Sequence, residues 1–401
     1  MSYSLAEKEQ NIVNSYIAAA LTTPDTAVAT DSQLVLWSSE AGLSENASAA
    51  LLNAATLVRN EPELHKLFRA LHYGFFHTSE QIAEPDLEAA LGMKSARAFY
   101  LLLGLSGLND LHQLYLKLNY SESMRSDISS DWGIWARHHF NNNNIQGLTW
   151  GILSWLRAHV RGEVLQFGRL QCNLALGFPG KLKVYRNLKN NSVVAVSDPG
   201  QQCNGAGYLA DKDEKVVFTT ILEQNGRILT GHRINPRGFI QPQTEQFDLT
   251  EYCLELQDND PVINLHIPES GPLSLSSCAK SVEAMREFFL AKYPEYKFKA
   301  FVCFSWLLDG QLHNVLPPES NIIKFQNAGY VFPFTASSDA VFRVFGTKAA
   351  QNGYKSVPHT SSMQRRLANY LDLGNRFRQG GIFLLSADLP WGTNPYISQT
   401  E

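Results

Sequence analysis

Along the first part of the chain, to about residue 150, apolar positions recur at helical spacing and few stretches alternate with period two. In Glu9–Leu21, the residues Ile12, Val13, Tyr16, Ile17 and Ala20 share one helix face. Asn46–Val58 is rich in Ala and Leu, which are strong helix formers. Asn60-Glu61-Pro62-Glu63 reads as a helix start, with a cap, an early Pro and early acids, and the helix it opens carries Leu64, Leu67, Phe68 and Leu71. Ala96–Leu105 and Asp110–Leu118 read as two helices separated by Gly104 and Gly107. The asparagine run 141–144 divides two further helical pieces, in a segment holding Trp132, Trp135, Trp150 and Trp155. That aromatic density fits a seam between domains, or the lining of an apolar pocket.

After Gly162 the period changes to two. Leu165–Leu176, Lys181–Arg186, Val193–Val196, Val216–Leu222 and Arg227–Thr230 read as strands of an antiparallel region, with a tight hairpin at Asn225-Gly226. A loop over Asn235–Thr244 leads to a strand from Phe247 to Leu256. Next comes the stretch around which the rest is organised. Val262, Ile263, Leu265 and Ile267 form a β-branched, apolar strand, which Pro268 and Gly271-Pro272 break. Ser274 or Ser276 caps a helix from about Ser277 to Lys292, and a second strand follows over Phe298–Leu307. Strand, loop, helix and strand in that order predict a parallel pair with a helical crossover. Tyr330–Phe334, Met363–Gly374 and Gly380–Leu385 add a strand, a helix and a last strand, before a loosely attached tail from Pro390. The pattern predicts an α+β protein: an α-helical domain over residues 1–155, then a mixed α/β domain over residues 156–401.

Composition narrows the function classes. The chain has 401 residues, 44% of them hydrophobic and 18% charged, with a formal net charge of −4, which suits neither a nucleic-acid partner nor an acidic membrane. The N-terminus is polar, and no apolar run approaches the roughly 18 residues that a membrane span needs. Cys172, Cys203, Cys253, Cys278 and Cys303 show no CxxC spacing, so free thiols in a reducing cytoplasm are expected, and no metal. His65, His72, His77, His112, His138 and His139 have no carboxylate or Cys beside them at ligand spacing, and read as surface or core histidines. The motifs of nucleophilic hydrolases, zinc peptidases, P-loop enzymes and dinucleotide binders are missing.

Polar residues that do invite a role cluster at the carboxyl ends of the two parallel strands, where open α/β sheets bind ligands. His266 ends the first strand and Ser305 the second, with Asp309 just beyond; Ser320 and Asn321 follow the Pro317-Pro318 turn. Each has a structural reading too: an in-sheet histidine, a small strand-end residue, a turn carboxylate and a helix cap. The loop after the first strand runs into a helix N-terminus, which favours an anion such as a phosphate.

The strings HIPESGPL, CFSWLLDGQL, SNIIKF and SSMQRRLANYLDLG resemble a bacterial family of two-domain acyltransferases, with a helical N-terminal domain and a GNAT-like C-terminal domain. The resemblance implies acyl-CoA as co-substrate and a small-molecule amine or hydroxyl as acceptor. It places the pantetheine arm along Val262–Ile267, ending at Ile267, and the pyrophosphate on Ser270, Gly271, Leu273 and Ser274. The loop departs from the usual Q/R-x-x-G-x-G/A pattern, keeping only Gly271 and no basic residue. In the implied chemistry His266 is the base, Ser305 or Tyr330 protonates the leaving thiolate, and Asp309 stands beside them; Ser320 and Asn321 face the acceptor. The acyl group passes directly, although Cys303 shares the Ser305 face and leaves a thiol role open. The alternative is a GNAT-like domain that has lost catalysis and serves as a ligand-binding sensor or scaffold.

Overall fold

A computed structural model describes residues 4–22, 28–175, 177–393 and Tyr396; Leu176 and most of the tail beyond Thr393, on which part of the sequence reading fell, lie outside the described residues. The chain divides into two compact units, Met1–Gln166 and Phe167–Glu401. Among the described residues no helix is long and apolar enough to cross a membrane.

The first unit is helical: α1 (Glu7–Thr22), α2 (Asp31–Ala41), α3 (Glu45–Asn60), α4 (Pro62–His77), α5 (Leu87–Leu91), α6 (Met93–Lys117), α7 (Glu122–Asn143) and α8 (Trp150–Val160). Helix α2 escaped the sequence reading, although Thr30 and Gln33 close a capping box at its start. Helix α6 corrects it: one helix runs unbroken through Gly104 and Gly107. Both glycines serve close packing. A Cβ on Gly104 would lie 3.1 Å from Leu153 Cδ2, and one on Gly107 would lie 2.8 Å from the Phe76 ring. The tryptophans contribute to the core of this unit. Trp132 is fully buried, Trp150 packs edge-on against Phe75, and the indoles of Trp135 and Trp155 both donate to Asp131.

His139 on α7 is buried, and its Nδ1 accepts from the Asn143 amide at 3.0 Å. Burial, and then the charges of Arg97 and His138, push its pKa down to about 4. The unfolded chain therefore takes up this proton first, and stability falls as pH drops from 6.5, the ordinary histidine value, towards about 4. We expect the melting temperature to decline across that window, with a shallower decline in His139→Gln. Parallel curves for the two proteins, followed by circular dichroism, would remove His139 from the acid response.

The second unit contains two six-stranded sheets and a two-stranded ribbon. The strand β1 (Leu165–Phe167) leads into it, followed by β2 (Leu170–Ala175). An antiparallel excursion follows: β3 (Leu182–Asn187), β4 (Val193–Ser197), β5 (Gln202–Cys203), β6 (Phe218–Thr219), β7 (Leu222–Asn225), β8 (Ile228–Asn235), β9 (Phe239–Asp248) and β10 (Tyr252–Leu256). The chain then returns through β11 (Val262–His266), α9 (Leu275–Lys292), β12 (Ala300–Ser305), α10 (Asn321–Asn327), β13 (Tyr330–Thr335), α11 (Ala340–Phe345), α12 (Thr347–Asn352), α13 (Ser362–Asp372) and β14 (Gln379–Leu385). The main sheet has the order β1-β2-β11-β12-β14-β13, with β11 and β12 parallel across the α9 crossover. The other six-stranded sheet is built from the excursion. The Asn225-Gly226 turn joins β7 to β8 as expected, with Gly226 at φ +58°. Two expectations fail locally. Residues 239–244 form a strand rather than a loop, because β8 pairs with that polar segment antiparallel at both ends, across a bulge between His232 and Ile234. The Val216–Leu222 run is split between β6 and β7, which belong to different sheets.

Candidate functional site

Strand register fixes which side chains meet. The parallel ladder runs from Val262↔Ala300 to Leu265↔Cys303 and stops there. Beyond that point each strand stays paired on its outer side only: His266 with Gln171 of β2, and Ser305 with Gly380 of β14. The parallel ladder therefore ends one residue before the close of β11, directly before the loop that leads into α9.

His266 lies on the face that also carries Asn264 and, across the β2 ladder, Asn173 and Gln171. The His266 Nε2 stands 2.7 Å from Asn173 Oδ1, and the Asn264 amide donates to the same oxygen at 3.2 Å. An amide oxygen only accepts, so Nε2 carries the proton and the ring keeps its lone pair on Nδ1. Asn264 Oδ1 is buried and has no hydrogen-bond partner among the described residues, an acceptor open to a donor. Asn173 and Asn264 were missed by the sequence reading. Asn264 left a signal, as a polar residue between the apolar Ile263 and Leu265, whereas Asn173 shares its strand with Gln171 and does not stand out.

The loop 268–274 supplies the other wall. Gly271 has φ +123° with nothing within 4 Å of a notional Cβ. The Ser274 hydroxyl caps α9 by accepting the Ser277 N–H at 3.2 Å. Ile267 is half-buried, Leu273 is buried, and Ser270 is exposed. The basic residue lacking in the loop comes from the β1–β2 turn. Arg169 donates to Pro268 O through Nη1 (2.9 Å) and to Pro272 O through Nε (3.0 Å). Its backbone N–H meets Ser281 Oγ on α9 at 3.0 Å. Burial lowers its pKa from the usual arginine value. No local motif announces Arg169, because its partners lie a hundred residues away.

The other expected residues do not join His266. Alternation puts Phe304 on the His266 face and turns Ser305 to the opposite one, where its hydroxyl accepts the Leu307 N–H at 3.2 Å. Asp309 is buried, and takes the N–H groups of Gln311 (3.0 Å) and Arg378 (2.7 Å). Burial raises its pKa, against the pull of those donors. Cys303 is buried, and its thiol is pushed up to about 12, far from a ready thiolate. Tyr330 is fully buried between the two large sheets, its hydroxyl donating to Ile234 O and accepting from the Ala195 N–H. Ser320 caps α10, taking the Ile323 N–H at 3.3 Å, and Asn321 is its exposed first residue.

A mixed sheet whose parallel neighbours part beside a helix N-terminus defines the GNAT-like class of transferase folds. The description "GNAT-like C-terminal domain" matches residues 164–383 and "N-acyltransferase N-terminal domain" matches residues 37–162, so the chain belongs to this two-domain N-acyltransferase family. Three similar solved structures are each 18% identical to it and share its fold. An acyltransferase in complex with decanoyl-CoA has a TM-score of 0.60 over 95% of this chain and 99% of that one. An acyltransferase mutant with octanoyl-CoA gives 0.59 over 88% of each chain. An acyltransferase with decanoyl-CoA and teicoplanin gives 0.56 over 87% and 86%. No curated protein matches the sequence.

Proposed function

We propose that the protein transfers an acyl group directly from acyl-CoA to an amine or hydroxyl on a small-molecule acceptor. The observation that carries this reading is the end of the β11–β12 ladder at Leu265 and Cys303, next to the loop and N-terminus of α9. Parted strands leave backbone groups of β11 for the amides of a pantetheine arm, and a strand N–H to polarise the thioester carbonyl. The Asn264 acceptor suits an amide N–H of the same arm. The helix N-terminus and the Arg169-stapled loop suit the pyrophosphate. His266 Nδ1 takes the proton of the attacking acceptor. A buried thiol held at about 12 favours direct transfer over an acyl-cysteine. Five free cysteines fit a reducing cytoplasm.

The test is a thermal-shift panel with acetyl-, propionyl-, octanoyl- and decanoyl-CoA, followed by release of the CoA thiol in the presence of varied amines and alcohols. The last two donors enter because similar structures hold them. Saturable stabilisation with acceptor-dependent thiol release is expected. Stabilisation with no release for any acceptor would favour the sensor reading, to which the departed loop pattern points; no stabilisation at all would sink both.

Arg169→Ala is expected to raise KM for acyl-CoA roughly tenfold with little change in kcat, since it removes loop order and not a proton-transfer group. Arg169→Lys should behave similarly, because an ammonium lacks the fork that spans two carbonyls. An unchanged KM in both would show that the staple is irrelevant to the donor.

A further inference from the structure

We propose that His72, His77 and Asp110 of the helical unit form a binding site for a divalent cation of the Zn²⁺ class. The two histidines sit on the last turns of α4, and Asp110 lies on α6. Gly107, one turn before Asp110, lets the Phe76 ring press against the α6 backbone and so draws the end of α4 onto α6. The result gathers three ligands of two types from two helices, with one donor atom of each within 4.8 Å of the others. His72 Nε2 is 3.2 Å from Asp110 Oδ2, and His77 Nε2 is 3.5 Å from Asp110 Oδ1. Bonds of about 2.0–2.2 Å from a tetrahedral Zn²⁺ put neighbouring donors roughly 3.3–3.5 Å apart, and the two histidine–carboxylate contacts lie close to that range.

The tautomer of His72 makes the case sharper. Its Nδ1 lies 2.7 Å from Ser106 Oγ, and that hydroxyl donates its own proton to Leu103 O at 2.7 Å. Ser106 must then accept from Nδ1–H. This leaves the lone pair of neutral His72 on Nε2, aimed at a carboxylate oxygen. His72 Nε2 and Asp110 Oδ2 are both buried and, among the described residues, neither has a partner beyond the 3.2 Å contact they make with each other. Two acceptors facing each other in a partly buried site require positive charge between them. A hydroxyl holding the far nitrogen of a ligating imidazole is also the usual outer support of a metal site. His77 and Asp110 are about a third and a quarter exposed, which admits the ion and leaves room for water as a further ligand. Two imidazoles with one carboxylate suit Zn²⁺, Co²⁺ or Ni²⁺ rather than Mg²⁺ or Ca²⁺, which prefer all-oxygen shells. The ion would fasten the C-terminal end of α4 to α6.

The test uses the full chain, stripped with a chelator and then titrated with Zn²⁺ or Co²⁺ alone. We expect a saturable rise of several degrees in melting temperature, about one equivalent bound, and visible d–d bands with Co²⁺. Asp110→Asn and His77→Gln should lose both signals. Should Asp110→Asn fail to fold, His77→Gln carries the comparison, because its side chain is partly exposed. No Co²⁺ band and no thermal response in the unsubstituted protein would overturn the proposal and leave a proton in place of the ion. A response undiminished in His77→Gln would likewise overturn it, by placing the metal elsewhere.

Discussion

Replacing His266 by alanine is expected to lower kcat for acyl transfer by about 10²–10⁴-fold, the range a positioned general base contributes, while the Kd for acyl-CoA changes by no more than about threefold. In free energy that is roughly 3–5 kcal/mol of transition-state stabilisation. The argument starts from register. His266 is the last residue of β11, paired to Gln171 on one side and past the end of the ladder to β12 on the other. Its ring is held by Asn173 through Nε2–H, which puts the basic lone pair on Nδ1. Asn173→Ala removes the holder but not the base. That variant should lose less, about tenfold in kcat. His266→Ala that keeps full turnover would end the base assignment. Loss of acyl-CoA binding with turnover intact at saturation would reassign His266 to contact with the donor.

The strand frame of this site was legible in the sequence, the company His266 keeps was not, and the difference has a physical cause. The strand–loop–helix–strand order of residues 262–305 predicts the parallel pair, and Ser274 is one of the two caps expected for α9. Periodicity also marks the helical unit and the antiparallel excursion. What a one-dimensional pattern lacks is the lateral neighbour. His266 and Ser305 stand at the ends of adjacent strands, yet the Leu265↔Cys303 pairing sends them to opposite faces. Register between strands separated by a whole helix is set by packing across the sheet, and local spacing does not encode it. Asn173 and Arg169 belong to the site through the β2–β11 ladder and the turn before it, with the entire second sheet intervening in sequence. The same blindness hid Asp110 from the histidines of α4. Gly104 and Gly107 misled for another reason: a glycine inside a helical pattern signals a break or a close approach with equal force, and only the neighbouring helix decides.

Asp309→Ala should produce the largest loss of stability among the residues considered, about 3–5 kcal/mol, because it strips a buried acceptor from several donors at once. Asp309 Oδ1 accepts the Gln311 N–H at 3.0 Å, and Oδ2 accepts the Arg378 N–H at 2.7 Å. The Gln311 amide bonds both carboxylate oxygens at 3.1 Å and also Arg376 O at 2.9 Å. Its own oxygen takes the Tyr370 hydroxyl (3.0 Å) and Arg378 Nη1 (3.2 Å). Arg378 then reaches Glu214 in the excursion. One carboxylate thus pins the turn after β12, the start of β14 and a loop of the excursion, all in a region with 2% exposure at Asp309 itself. Each buried N–H left without an acceptor costs roughly 1–3 kcal/mol, and alanine offers no replacement. For a unit of this size the melting temperature should fall by about 10 °C. Asp309→Asn keeps one accepting oxygen and the side-chain shape, so a smaller fall is expected. Because Asp309 faces the packed interior, the folded fraction of Asp309→Ala at low temperature should retain near-normal kcat. A variant with unaltered melting temperature and abolished turnover would reverse this assignment and return Asp309 to the chemistry that its place beyond Ser305 first suggests.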